Sequence, residues 1–145
     1  MTEPLRLDFH VACSPEHAFA TWGERFALWW PRSHNASGEA DARVVLEPRV
    51  GGRIYERTAS GRELDWGEIV AWEPPRRLAY LWHIRWARAD ATEVEISFTP
   101  DAHGTRVEIV HGGWDRLGAG AAAWRDRNRG GWASLLPHYR KAAER

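Results

Sequence analysis

The side chains able to do chemistry are few and scattered. Seven histidines stand at positions 10, 17, 34, 83, 103, 111 and 138, and no two of them are three or four residues apart. With Cys13 as the single cysteine, no standard zinc spacing is met, and no metal ligand is assigned. His83 and His111 fall in segments that alternate like strands. An imidazole buried there could exchange a proton near neutral pH. No Ser, Cys or carboxylate stands at a spacing that marks nucleophilic catalysis, so a structural or exposed role outweighs a catalytic one and no catalytic residue is assigned. Cys13 reads as a small buried hydrophobe. Gly118 to Ala123 fits a loose dinucleotide fingerprint, but only 22 residues follow it, too few for a βαβ unit, and no cofactor is expected.

The tryptophans carry more information. There are ten, and each ring can bury about 150–250 Å². A compact core does not need ten such rings, so some must line a cavity, a groove or a partner surface. Trp29 and Trp30, next to Pro31, read either as a wall of a pocket or as one core residue and one edge cap. Tyr80, Trp82, Ile84 and Trp86 form a stripe at strand period, read as core or as a face turned into a cavity. Arg125, Arg127 and Arg129 alternate with Asp126 and Asn128, which predicts a solvated face or a contact for an acidic partner.

These residues need elements to hold them. Leu5 to Ala12 alternates apolar and polar residues and predicts a half-buried strand. Ser14-Pro15-Glu16 opens a helix: Ser14 as N-cap, Pro15 where its missing N–H costs nothing, Glu16 at the positive end of the dipole. Gly23 is predicted to end it. A second helical piece over Glu24 to Trp30 stops at Pro31. Strands follow around Val44–Leu46, Arg53–Thr58, Leu64–Trp72, Arg77–Trp86, Glu93–Thr99 and Thr105–His111, separated by Gly- and Pro-containing turns. Short turns between consecutive strands imply an antiparallel meander. Trp132, Leu135, Leu136, Tyr139 and Ala143 then lie on one face of a helix, which Pro137 should kink by removing the bond to Ala133. The fold class is α+β: a curved antiparallel sheet of six to seven strands, two short helices and one long C-terminal helix. It forms one domain over residues 1–145.

Composition excludes several functions. Twenty basic and twenty acidic residues cancel, so no net field draws the chain to nucleic acid or anionic lipid. No apolar leader and no run near the ~20 residues of a membrane span are present, so a cytoplasmic location is expected. Nineteen of the twenty basic residues are Arg, a bias suggestive of a high-GC bacterial genome.

The order of elements resembles the helix-grip fold of the birch pollen allergen Bet v 1, in the START-like or SRPBCC superfamily. Within it, the chain looks like the family of the activator of heat-shock-protein-90 ATPase homologue, by its C-terminal domain. The matching residues are Ser14-Pro15-Glu16 with Trp22, Trp29-Trp30-Pro31, Pro48 with Gly51-Gly52-Arg53, and Gly67-Glu68-Ile69. Trp72 to Leu78, Trp82, Gly104-Thr105 and Gly131-Trp132 complete them. They span nearly the whole chain. The resemblance implies a hydrophobic or amphipathic small molecule held between sheet and last helix. We expect the wall to comprise Trp22, Trp29, Trp30, Ile54, Trp66, Trp82, Trp114, Trp132 and Leu136, with Tyr55 and His83 orienting the ligand. A non-enzymatic binder is the first reading. A co-chaperone stimulating a heat-shock ATPase is the second. A cyclase or dehydratase, which would need an acid–base group in the pocket, is the third.

Overall fold

A computed structural model describes residues 1–145. The first strand, β1 (Leu5–Val11), leads into helix α1 (Pro15–Trp22) and the single turn α2 (Phe26–Trp29). Six strands follow: β2 (Arg43–Leu46), β3 (Arg53–Arg57), β4 (Glu63–Glu73), β5 (Arg77–Trp82), β6 (Thr92–Asp101) and β7 (Gly104–Gly112). The long helix α3 (Ala121–Ala143) ends the chain. The seven strands form one antiparallel sheet in the order β1-β7-β6-β5-β4-β3-β2. The meander thus runs in sequence from β2 to β7, and β1 pairs with β7 to complete the far edge.

The sheet curls because its strands are irregular where they must bend. Register shifts fall between β3 and β4 at Ile54/Tyr55 and between β4 and β5 at Ile69/Ala71. Such bulges increase local twist and re-aim side chains. At Gly67 the curl brings β4 so near β5 that a Cβ would lie 2.1 Å from the Leu81 carbonyl oxygen. Only a residue without a side chain fits there.

The concave face is covered by α1 and α3, as the helix-grip expectation requires. Ser14 caps α1 by accepting a hydrogen bond from the His17 N–H at 3.1 Å. The Tyr139 hydroxyl of α3 donates to the Ala18 carbonyl of α1 at 2.8 Å, tying the two helices together. A cluster of 26 buried apolar residues fills most of the space between helices and sheet.

Three local expectations change, at the second helical piece, at the end of β5 and at Cys13, and the proline in the last helix does not interrupt it. The second helical piece is only Phe26–Trp29. β5 stops at Trp82, opposite Thr92 where β6 begins. Beyond it, Trp86 N–H bonds back to the His83 carbonyl, so Ile84 and Trp86 lie on a loop and not on a strand face. Helix α3 runs through Pro137. The proline is exposed, while Leu135 and Tyr139 on either side of it are buried and hold the segment against the core. Tertiary burial of that face outweighs one missing backbone bond. Finally, Cys13 is half-buried and not a core residue.

Candidate ligand-binding cleft

The core cluster does not fill the whole grip. At the end where β5 gives way to its loop, a partly open cleft remains between that loop, the N-terminal half of α3 and the segment after α2. Its volume is about 170 Å³, or about 690 Å³ counting the open mouth. Trp30, Tyr80, Trp82, Ile84, Trp132 and Leu135 supply apolar walls. His34, Arg85, Trp124, Arg127, Asn128 and Gly131 complete the lining.

Each element contributes for a local reason. Tyr80 and Trp82 alternate on β5 and turn inward together, with ring centroids 5.6 Å apart. Trp30 is placed by α2: its ring stacks on Phe26 at 5.1 Å and meets Trp66 and Trp82 at 5.2 and 5.7 Å. On α3, Trp124, Asn128, Gly131 and Leu135 are spaced i, i+4, i+7 and i+11, one helical face. Gly131 leaves that face open, since nothing lies within 4 Å of where its Cβ would be.

The loop carrying His34 is fixed from behind. Glu56 of β3 is fully buried, and its carboxylate accepts from the backbone N–H of Ala36 at 2.8 Å, from that of Ser37 at 3.2 Å, and from the Ser37 hydroxyl. In front, the His34 ring is held between two hydroxyls. Ser134 Oγ donates to the Gly131 carbonyl at 3.2 Å, so it accepts from His34 Nε2–H at 2.8 Å. The lone pair then sits on Nδ1, 3.2 Å from Ser33 Oγ. Burial lowers the His34 pKa, with His138 and Arg85 adding positive field against a backbone hydrogen bond to Gly131 that raises it. His34 is therefore a neutral imidazole with a defined tautomer in the cleft wall.

Behind the apolar wall lies a second, closed hydrogen-bond chain. Trp132 Nε1–H points at His111 Nδ1 at 3.1 Å. An indole can only donate, so Nδ1 accepts and the His111 proton is on Nε2. Nε2–H donates to Thr92 Oγ1 at 2.8 Å, and that hydroxyl donates to the Trp82 carbonyl at 3.1 Å. His111 is wholly buried, and burial pushes its pKa down to about 3. It fixes two wall residues and is closed off from the cleft.

Polar capacity remains on the apolar wall. The Trp30 indole N–H is buried without a partner. Burial pushes the Tyr80 phenol above its ordinary range, so it stays protonated and able to donate.

Of the residues expected to form the wall, Trp30, Trp82 and Trp132 come together in the cleft. Trp22, Trp29, Ile54, Trp66 and Trp114 are buried in the core behind it. Trp22 packs on Trp29, Trp132 and Tyr139, Trp29 donates to the Thr21 carbonyl, and Trp114 donates to the His111 carbonyl. Leu136 is half-buried beside the core, while its neighbour Leu135 lines the cleft. Tyr55 points away: it shares its strand face with Arg53 and Arg57, whose guanidinium groups lie 4.1 and 5.6 Å from its ring centroid. His83 is buried just past β5, its N–H bonded to the Trp66 carbonyl at 2.7 Å, and outside the cleft lining. Sequence reasoning missed His34, Arg85, Trp124, Arg127, Asn128 and Gly131. Arg127, read as part of a solvated face, lies 4.6 Å over the Trp124 ring. The helical spacing of Trp124, Asn128, Gly131 and Leu135 was the available signal.

A curled antiparallel sheet gripping one long helix, with a residual cleft between them, defines a helix-grip domain. The family model for "Activator of Hsp90 ATPase homolog 1-like protein" matches residues 12–142. The chain belongs to that family. Among solved structures it is similar to CV1439 from Chromobacterium violaceum, with TM-score 0.69 and 18% identity over 99% of both chains. An AHSA1-like protein from Aeromonas hydrophila gives TM-score 0.65 and 20% identity, over 96% of this chain and 90% of that one. The anthrahydroquino-gamma-pyrone synthase Txn09 is 40% identical over 83% of this chain and 82% of its own, with TM-score 0.58. No curated protein matches the chain. No helix is long and apolar enough to cross a membrane.

Proposed function

We propose that the cleft binds a planar, oxygen-substituted aromatic molecule and that the chain closes an oxygen-containing ring on it. The observation that carries this reading is the make-up of the lining: aromatic faces on sheet and helix, with His34 set at the same wall. At about 170 Å³ the cleft is near the ~150 Å³ that takes a single benzene-sized ring, and its open mouth leaves room for the rest of a larger molecule outside. A polycyclic molecule would place one ring between Trp30, Trp82 and Trp132 and carry the rest toward α3. The unpartnered indole N–H of Trp30 suits an oxygen acceptor on such a ring.

From the sequence, binding ranks ahead of catalysis, because catalysis demands an acid–base group in the pocket. His34 meets that demand, and the kinship with a pyrone synthase favours the enzymatic reading. One balanced route needs no redox partner. A phenol oxygen adds to a side-chain ketone carbon, its proton passing to His34 Nδ1, and the ketone oxygen becomes a hydroxyl. Loss of that hydroxyl with an adjacent hydrogen releases water and leaves the ring. Holding phenol and ketone in contact would supply much of the acceleration, and the imidazole typically adds about 10²–10⁴-fold.

The test has two readouts. Hydroxyanthraquinones should quench tryptophan fluorescence, and quenching should fall in Trp30→Ala. An anthrahydroquinone bearing a 1,3-diketone side chain should lose one water on incubation, with His34→Asn slowing that step at least tenfold while still binding. Absence of quenching by every hydroxyanthraquinone would refute the binding reading. Binding without dehydration above background would refute the enzyme and leave a binder. The co-chaperone alternative draws support from the family name and from no surface feature.

A further inference from the structure

Charge in the cleft is one-sided. Its lining contains Arg85 and Arg127 and no Asp or Glu. The two guanidinium groups come from opposite sides, Arg85 from the loop after β5 and Arg127 from α3. Neither forms a salt bridge, although nine other arginines do. The Arg127 guanidinium lies 4.6 Å over the Trp124 ring, and Arg85 reaches only the His34 carbonyl at 3.5 Å. Asn128, also in the lining, donates to the Trp124 carbonyl at 2.9 Å, which leaves its side-chain oxygen and second N–H free. His34, the imidazole of the wall, is neutral or positive and so carries no competing negative charge.

Resting on the aromatic-ligand reading above, we infer that the ligand is bound as an oxyanion: an aromatic phenolate, enolate or carboxylate whose charged edge lies between Arg85 and Arg127 while its apolar edge enters the tryptophan-lined end. Planar guanidinium groups match a two-oxygen edge and are weakly hydrated, so they can meet it at a half-open mouth. The charged oxygen is a group of the ligand other than the phenol that gives its proton to His34 in ring closure, so the arginines anchor the ligand while the imidazole serves the reacting oxygen.

The experiment uses a matched pair of probes, 2-naphthoate and 2-naphthamide, titrated into the full chain by tryptophan fluorescence and checked by calorimetry. They share ring and size and differ in charge. The anion should bind at least tenfold more tightly, and the ratio should shrink as salt rises from about 0.05 to about 0.5 M because the mouth is solvated. Arg85→Gln and Arg127→Gln should each weaken naphthoate several-fold and leave naphthamide unchanged. Arg129→Gln removes the same charge from an exposed position outside the cleft and should change neither. Equal binding of the two probes, or equal losses in all three variants, overturns the oxyanion assignment while leaving an aromatic cleft. Failure of both probes and of the hydroxyanthraquinones overturns the aromatic-ligand reading itself.

Discussion

Protonating His111 should destabilise this protein in a predictable pH window. The imidazole is wholly buried, accepts a hydrogen bond from the Trp132 indole N–H on Nδ1 and donates one to Thr92 Oγ1 from Nε2–H. A second ring proton would point at the indole N–H, with no acceptor in reach. Burial lowers the folded pKa from the ordinary 6.5 to about 3. The sign follows: the unfolded chain takes up the proton first, so His111's contribution to stability is complete above pH 6.5 and is lost progressively as pH falls toward 3. Linkage gives a loss of about 2 kcal/mol between pH 7 and pH 5 from this group alone. The assay is urea unfolding followed by far-UV circular dichroism at about pH 7, 6 and 5, for wild type and His111→Gln. The variant is less stable at neutral pH but lacks this titration. His34 and His83, whose pKa values burial also lowers, remain in both proteins and cancel in the difference. Parallel pH slopes for the two proteins would refute the buried-neutral assignment and the hydrogen-bond chain built on it.

Tyr139→Phe removes the hydroxyl that joins α3 to the Ala18 carbonyl and should cost about 1 kcal/mol in urea unfolding with the fold intact. Gly67→Ala places a methyl 2.1 Å from the Leu81 carbonyl oxygen, between two paired strands that must separate to admit it. It should cost about 3 kcal/mol, whereas Gly130→Ala, with open space around it on α3, should raise stability by up to about 1 kcal/mol.

The topology was legible because it rests on local signals that survive tertiary packing. Alternation in β1, the Ser14-Pro15-Glu16 cap and the turn residues between strands each specify an element without reference to the others. The β5 boundary was not legible. Tyr80, Trp82, Ile84 and Trp86 keep a period of two past the point where pairing stops, since apolar residues on the following loop face the same interior. Pro137, expected to kink the last helix, does not interrupt it: α3 continues past the proline, with Leu135 and Tyr139 buried on either side. For the cleft, abundance of tryptophan was the right signal but not a sufficient one. Trp22, Trp66 and Trp114 differ from Trp30, Trp82 and Trp132 in which rings they meet across the chain, and spacing along the chain carries no such information. The polar half was invisible for the same reason: His34 and Arg127 are 93 positions apart in the sequence and meet only because Glu56 pins one loop while α3 crosses the sheet.

The filled and empty parts of the grip depend on each other. A cleft walled by large rings would collapse if those rings were free to turn, because closing it removes apolar surface from water. Here the two main walls are anchored from behind. Trp132 on the helix and Trp82 on the sheet are joined through His111 and Thr92, and Trp30 is backed by Phe26 and Trp66. The packed tryptophans therefore act as a rigid frame whose opening is set by hydrogen bonds and stacking, with no bound ligand required to prop it open. Such preorganisation lowers the ordering cost of binding. It also explains why this fold tolerates a neutral buried histidine far from any solvent: the ring spans two elements with a donor on one side and an acceptor on the other, which no apolar side chain of its size would do.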